Sequence, residues 1–522
     1  MLEKIHQQLN EAQNFLVKGQ FERAQFIINE ILALKPNDTS AIILKAKIEH
    51  SLMQFDAARH TIEQALAHKE LSWEQLMDLA QIANQMELYF LLAHALSKLI
   101  EMRPGALKLE LQLSLCLAKI GKTHGSTKLL QSLSKQDETN ALISINLAHG
   151  YKALGLTEKA ISEYKRFILL KPEYSGTGYW SLADLKNYKF STQDIQAMHN
   201  TSSLNLNQKE RSLVDFALTR ALEQNEDYEF AFSKLTNANQ KMSQLRPFNS
   251  TGFRNLVGSL LQFTPNNSSS RQSSNKTKPI FIVGLPRSGT TLTEQIIGSH
   301  SKVACTDELP FIERVAIQLG KGKSYTQELS QINHETAEQM RQFYLEQVSE
   351  YSGTHTGSFI DKNPTNFLHI GLIKTLFPHS KIVGLIRDPL DNGMSIYKQH
   401  FGKGNDFSYK LSDICMYYEA YLSLMSHWKA LYSDDVYMLN YSQLVKSPDQ
   451  QIKALLSFCN LEFELQCLSF YKSSRPVLTP SASQVRQPIN SKGIDSSLPY
   501  KPYIKSHIEE FAKLRNKIQT FN

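Results

Sequence analysis

Along the first 172 residues, small and apolar positions return every 34 residues. In one register Ala12, Ala46, Ala80, Ser114 and Ala148 share a position, and twelve residues later Ala24, Ala58, Leu92, Ser126 and Ala160 share another. Aromatics recur at Phe21, Phe55 and Tyr89, glycine at Gly19, Gly121 and Gly155, and proline at Pro36, Pro104 and Pro172. Small side chains let paired helices approach, while Gly and Pro stop them. The pattern therefore predicts about five helical hairpins over 1–172, off register at Leu92 and Thr123. Residues 173–263 remain helical in pattern, and 226–235 reads as half of a variant repeat. The run TPNNSSSRQSSNKTK, 264–278, offers no side chain to a core and is expected to be a flexible loop or linker.

From 279 onward short β-rich runs alternate with helical stretches. IFIVGL (280–285), SKIVGLIR (380–387) and DVYMLNY (435–441) read as buried strands of a mainly parallel sheet, with helices over 291–300, 326–351 and 411–431 between them. Such alternation predicts an α/β domain over 279–522 whose ligand lies at the carboxyl ends of the strands.

Composition narrows the picture only a little. Hydrophobic residues make up 41% and charged residues 20%, as in a globular protein. No run approaches the roughly 20 apolar residues of a membrane helix, and MLEKIHQQLN has no signal-like apolar core, so a cytoplasmic location with no membrane span is expected. The five cysteines, Cys116, Cys305, Cys415, Cys459 and Cys467, form no CxxC pair, which suggests neither a disulfide framework nor a zinc site. The net charge of +7 is modest and spread along the chain, so it gives no reason to expect nucleic acid as a partner, though it would help an anionic substrate to find a basic cleft.

The chemistry concentrates in GLPRSGTT, 284–291, between a strand and a helix. Gly284 and Gly289 free the backbone so that N–H groups converge on one anion, and the helix start adds its dipole. Arg287 contributes a guanidinium, and Ser288, Thr290 and Thr291 contribute hydroxyls. The spacing opens like a nucleotide-triphosphate loop, but Thr290 replaces its lysine. A donor with one phosphosulfate bridge needs neither that lysine nor a metal ion, and no metal is expected.

The loop resembles the 5′-phosphosulfate-binding loop of sulfotransferases, and the chain as a whole resembles bacterial proteins that join tetratricopeptide repeats to a sulfotransferase domain similar to tyrosylprotein sulfotransferases. The resemblance implies 3′-phosphoadenosine-5′-phosphosulfate (PAPS) as co-substrate and its desulfated nucleotide as product. It places the donor's 3′-phosphate at Arg387 and Ser395, with Gln399 where those relatives carry an arginine. Glu308 falls at the catalytic base, with Asp307 as the adjacent alternative; Lys362 falls at the lysine facing the leaving oxygen, and Ser481 at the serine stabilising the transition state. Tyr441, Gln484, Val485 and Arg486 continue the nucleotide wall, and the likeness fades after about residue 490. The acceptor is then a hydroxyl, with a peptide or protein tyrosine brought by the repeat groove as one option and a carbohydrate or small metabolite as another. The repeats could equally serve a homodimer. A kinase or NTPase with an unusual loop, or a non-catalytic repeat scaffold, are the competing readings.

Overall fold

The computed structural model describes residues 2–68, 70–265, 278–320, 322–352, 358–473 and 475–521. The linker expected at 264–278 lies outside the described residues over 266–277. Two compact units emerge, Met1–Gly150 and Tyr151–Asn522.

The repeat pattern becomes helical pairs, Leu2–Val17 with Phe21–Leu34, Thr39–Ser51 with Phe55–Leu66, Trp73–Gln85 with Tyr89–Met102, and Leu107–Lys119 with Thr123–Gln136; Ala141–Ala153 and Thr157–Leu170 follow. All ten residues at the two small positions are buried, so even Leu92 and the serines occupy the tight place that alanine marks elsewhere. The turns between paired helices need a left-handed residue: Gly19, Gly121 and Gly155 supply it at φ +73°, +76° and +76°. Met53 and Glu87, at the same repeat position, take φ +56° and +55°. The register thus outlives the loss of the glycine that suits it.

In the second unit a five-stranded sheet runs β1 (Ile280–Gly284), β2 (Val303–Cys305), β3 (Ser358–Lys362), β4 (Lys381–Ile386) and β5 (Val436–Asn440), in spatial order β2-β3-β1-β4-β5 with every pair parallel. The helix expected over 326–351 is two, Tyr325–Ser330 and His334–Ser352, because the Asn333 side chain accepts Thr336 N–H and starts the second. Helices Gln208–Gln224 and Tyr228–Leu245 pack beside this domain: Asn239 donates to the Tyr397 carbonyl at 3.0 Å, and Arg246 to the Phe401 carbonyl at 2.6 Å. Among the described residues no helix is long and apolar enough to cross a membrane.

Candidate functional site

The connection turns in opposite directions on the two sides of β1, since β3 lies on one flank and β4 on the other. A parallel sheet opens a crevice at such a point, beyond the strands' carboxyl ends. Each of the five strands delivers a chemically distinct residue to that edge. β1 leads into the glycine loop, β2 into Asp307 and Glu308, β3 ends on Lys362, β4 is followed by Arg387, and β5 by Tyr441.

The loop turns sharply, with Arg287 at φ +64° and Gly289 at φ +111°, before helix Thr290–Ile297 begins. Gly289 has no room for a side chain, because a Cβ there would lie 2.9 Å from the Tyr441 ring. Ser288 tucks under the loop, buried and with its Oγ lacking a partner among the described residues. Arg287 fans out: Nε donates to Ser395 Oγ at 3.3 Å, one terminal nitrogen to Ser481 Oγ at 2.6 Å and the other to Gln484 Oε1 at 2.9 Å. Arg387 braces the loop from beside β1, donating to the Arg287 carbonyl at 2.7 Å and the Gly493 carbonyl at 2.6 Å, while its guanidinium lies 5.1 Å from the Tyr441 ring. Its buried Nε has no partner among the described residues. Burial and the neighbouring Arg387 push the Arg287 guanidinium down to about 10.

On the other flank lies a charge network under the cavity floor. Lys362 is fully buried, and its Nζ stands 2.6 Å from Glu308 Oε1 and 3.9 Å from Glu294 Oε2. Burial alone would depress this ammonium, but Glu308, Glu294 and Asp307 outweigh it and raise its pKa. Glu308 is 52% exposed at its side chain, so its other oxygen is open to an incoming group. Glu294, fully buried, also stands 3.2 Å from an Arg475 terminal nitrogen. Asp307, held at φ +58°, is pushed up to about 7 by burial and by Glu294, against the pull of Lys362. Asp361 accepts from Tyr344 Oη at 2.7 Å and is likewise pushed up to about 7, chiefly by burial.

A cavity of about 830 Å³ occupies this edge. Of the residues singled out in the sequence, Arg287, Gly289, Thr290, Thr291, Glu308, Arg387, Ser395, Tyr441, Ser481, Gln484 and Val485 line it. Ser288 and Lys362 lie beneath the lining. Arg486 turns the other way, donating to the carbonyls of Ala153 at 2.7 Å, Arg475 at 3.1 Å and Ser473 at 3.3 Å. That guanidinium ties the 475–490 segment to the Ala153 carbonyl. Sequence reading missed Glu294 and Arg475, and it missed Lys186, Arg220, Glu223 and Lys398, which line the cavity from the helical side.

Residues 279–465 match the family model described as the sulfotransferase family. An uncharacterized protein of Aquifex aeolicus (strain VF5) is 30% identical over 379 residues, covering 70% of this chain and 49% of that protein. Protein-tyrosine sulfotransferase 1 of Danio rerio is 26% identical over 204 residues, covering 36% of this chain and 54% of that protein. The chain thus spans about half the length of these two curated relatives. Among solved structures, YrrB, a TPR protein with an unusual peptide-binding site, is similar over 32% of this chain and 85% of its own, at 19% identity and a TM-score of 0.28.

Proposed function

We propose, from the premise that this is a repeat protein carrying a sulfotransferase-family domain, that it moves a sulfuryl group from PAPS to a hydroxyl, with a peptide or protein tyrosine as the acceptor class. The observation that carries the reading is Lys362 Nζ at 2.6 Å from Glu308 Oε1, on the cavity edge where the glycine loop, Arg387 and Ser395 meet. The residues present suit the donor. Seven cationic side chains, Lys186, Lys189, Arg220, Arg287, Arg387, Lys398 and Lys492, line the cavity against the carboxylates Glu223 and Glu308. Ser288 Oγ and Arg387 Nε, without partners among the described residues, add donors at the loop itself.

The chemistry PAPS supplies is an activated sulfur attached to a phosphate through one bridging oxygen. Glu308, hydrogen-bonded by Lys362 through one oxygen, accepts the proton of the acceptor hydroxyl on the other as the acceptor oxygen bonds to sulfur. Lys362, which reaches the cavity edge only through its bond to Glu308, gives a charged hydrogen bond to the bridging oxygen, which leaves with the electron pair of the broken sulfur–oxygen bond. Arg287 and Ser481, already bonded to each other, steady the oxygens on either side. Asp307 has a carboxyl near neutrality but does not line the cavity, which favours Glu308 as the base. The tyrosine acceptor is supported by the similarity to protein-tyrosine sulfotransferases.

Calorimetry of the full chain should find 3′,5′-ADP bound and preferred over ATP with magnesium. Glu308→Gln should keep that binding and lower kcat about 10² to 10⁴-fold. Preference for magnesium ATP, with its hydrolysis, would replace this reading by a kinase or NTPase one.

A further inference from the structure

Two residues from the helical part of the second unit reach the cavity with cations that no loop of the sheet explains. Lys186 follows helix Ser175–Ala183, and Arg220 sits in helix Gln208–Gln224. Lys186 takes φ +66°, an unfavourable backbone for a side-chain-bearing residue that is kept where surrounding structure enforces it. Its Nζ lies 2.9 Å from Asp184 Oδ1, 3.0 Å from Gln399 Oε1 and 5.5 Å from the centroid of the Trp180 ring. An ammonium has three hydrogens, so these two bonds leave one for the cavity it lines.

The charges here do not balance. Asp184 is shared by Lys152, Lys186 and the amide of Gln399. Glu223 is shared by Arg220 at 2.9 Å, Lys398 at 2.8 Å and Tyr500 Oη at 2.6 Å. Arg287 and Arg387 have only neutral partners among the described residues. Two carboxylates therefore serve four cations, and Arg287 and Arg387 stand beside them with no carboxylate partner among the described residues. The like charges act on one another: after burial itself, Arg220 and Arg287 depress the Lys186 ammonium, to about 7 against the opposing pull of Asp184. Arg220 keeps a buried Nε without a partner among the described residues. Clustered cations of this kind are unfavourable until an anion enters among them.

The position of that anion follows from the contacts. Lys186 is held by Gln399, which lies just past the end of helix Pro389–Tyr397, and that helix carries Ser395, whose Oγ meets Arg287 Nε; Lys186, Ser395 and Arg287 all line the cavity. We propose that Lys186 and Arg220 bind the same phosphate that Arg387 and Ser395 face, the 3′-phosphate of the nucleotide, so that the helical segment completes the donor pocket. The inference rests on the sulfuryl-donor reading above.

The test is calorimetry of the full chain with 3′,5′-ADP and with 5′-AMP, which lacks the 3′-phosphate. Lys186→Met and Arg220→Met should each weaken 3′,5′-ADP binding roughly 10 to 100-fold while leaving 5′-AMP unchanged, and Lys186→Arg should recover most of the loss. Circular dichroism confirms that each variant is folded, and Arg220→Met stands in should Lys186→Met not fold. Unchanged 3′,5′-ADP binding in the folded variants overturns the proposal while the donor reading stands. Equal weakening of both nucleotides, or a loss confined to the acceptor KM, overturns it as well, in favour of a 5′-side or acceptor anion. Wild-type protein that binds no 3′,5′-ADP defeats the donor reading, and this inference with it.

Discussion

Lys362→Met tests the buried charge network by stability alone, independent of any activity. The substitution keeps an apolar stem of similar length and removes an ammonium with no exposure to solvent. Its loss matters little to Glu308, which is half exposed and can turn to water. The cost falls on Glu294 and Asp361, fully buried, and on Asp307 beside them. Removing one partner of a buried ion pair costs about 3 to 5 kcal/mol, and the exposure of Glu308 places the expected deficit near the lower figure, about 3 kcal/mol. Burial already lifts Asp307 and Asp361 to about 7, and Lys362 is among the groups holding both down, so the variant lifts them further. A carboxyl whose folded pKa is raised contributes stability below its unfolded pKa and loses it as pH rises through the folded value. The deficit must therefore grow with pH. Urea denaturation of wild type and variant should show about 3 kcal/mol at about pH 8.5 and about 1 kcal/mol or less at about pH 5.5, at unchanged m. An equal deficit at both pH values would refute the reasoning, since lost packing, unlike lost charge, does not titrate.

Two further outcomes follow from the loop and its cover. Gly289→Ala forces φ +111° on a side-chain-bearing residue and drives its Cβ to 2.9 Å from the Tyr441 ring, so about 1 to 3 kcal/mol of stability should be lost, with weaker 3′,5′-ADP binding; an unchanged melting temperature and affinity would show the loop to be slack. Arg486→Ala removes three carbonyl contacts and should cost about 1 to 3 kcal/mol, and limited proteolysis should then cut faster within 475–490; cutting elsewhere first would mean that the segment is held by other contacts.

The sequence made the hairpins legible because close helix packing writes its demand at fixed intervals, and all ten marked positions are buried. β1, β4 and β5 were readable as apolar runs. β2, at three residues, is too short to show a period. β3 was hidden by its own chemistry: Asp361 and Lys362 interrupt the apolar run, yet both are fully buried because each finds partners across the sheet's edge. At the site, spacing within one loop or one strand-helix turn exposed Arg287, Arg387 and Ser395. Lys186 and Arg220 lie about 100 and 70 residues before the loop, and only the packing of helices against the sheet brings them to it. Arg486 shows the converse, a residue inside a promising motif whose side chain serves the opposite face of the segment.

Trp180, whose ring faces the Lys186 ammonium at 5.5 Å, gives the cavity an optical signal of its own. Of the other two tryptophans, Trp428 is locked in the core, donating to the Phe367 carbonyl, and Trp73 belongs to the first unit. An anion that settles on Lys186 alters the electric field across the Trp180 indole. Occupancy of the pocket can therefore be followed by emission from the native chain, without label or acceptor.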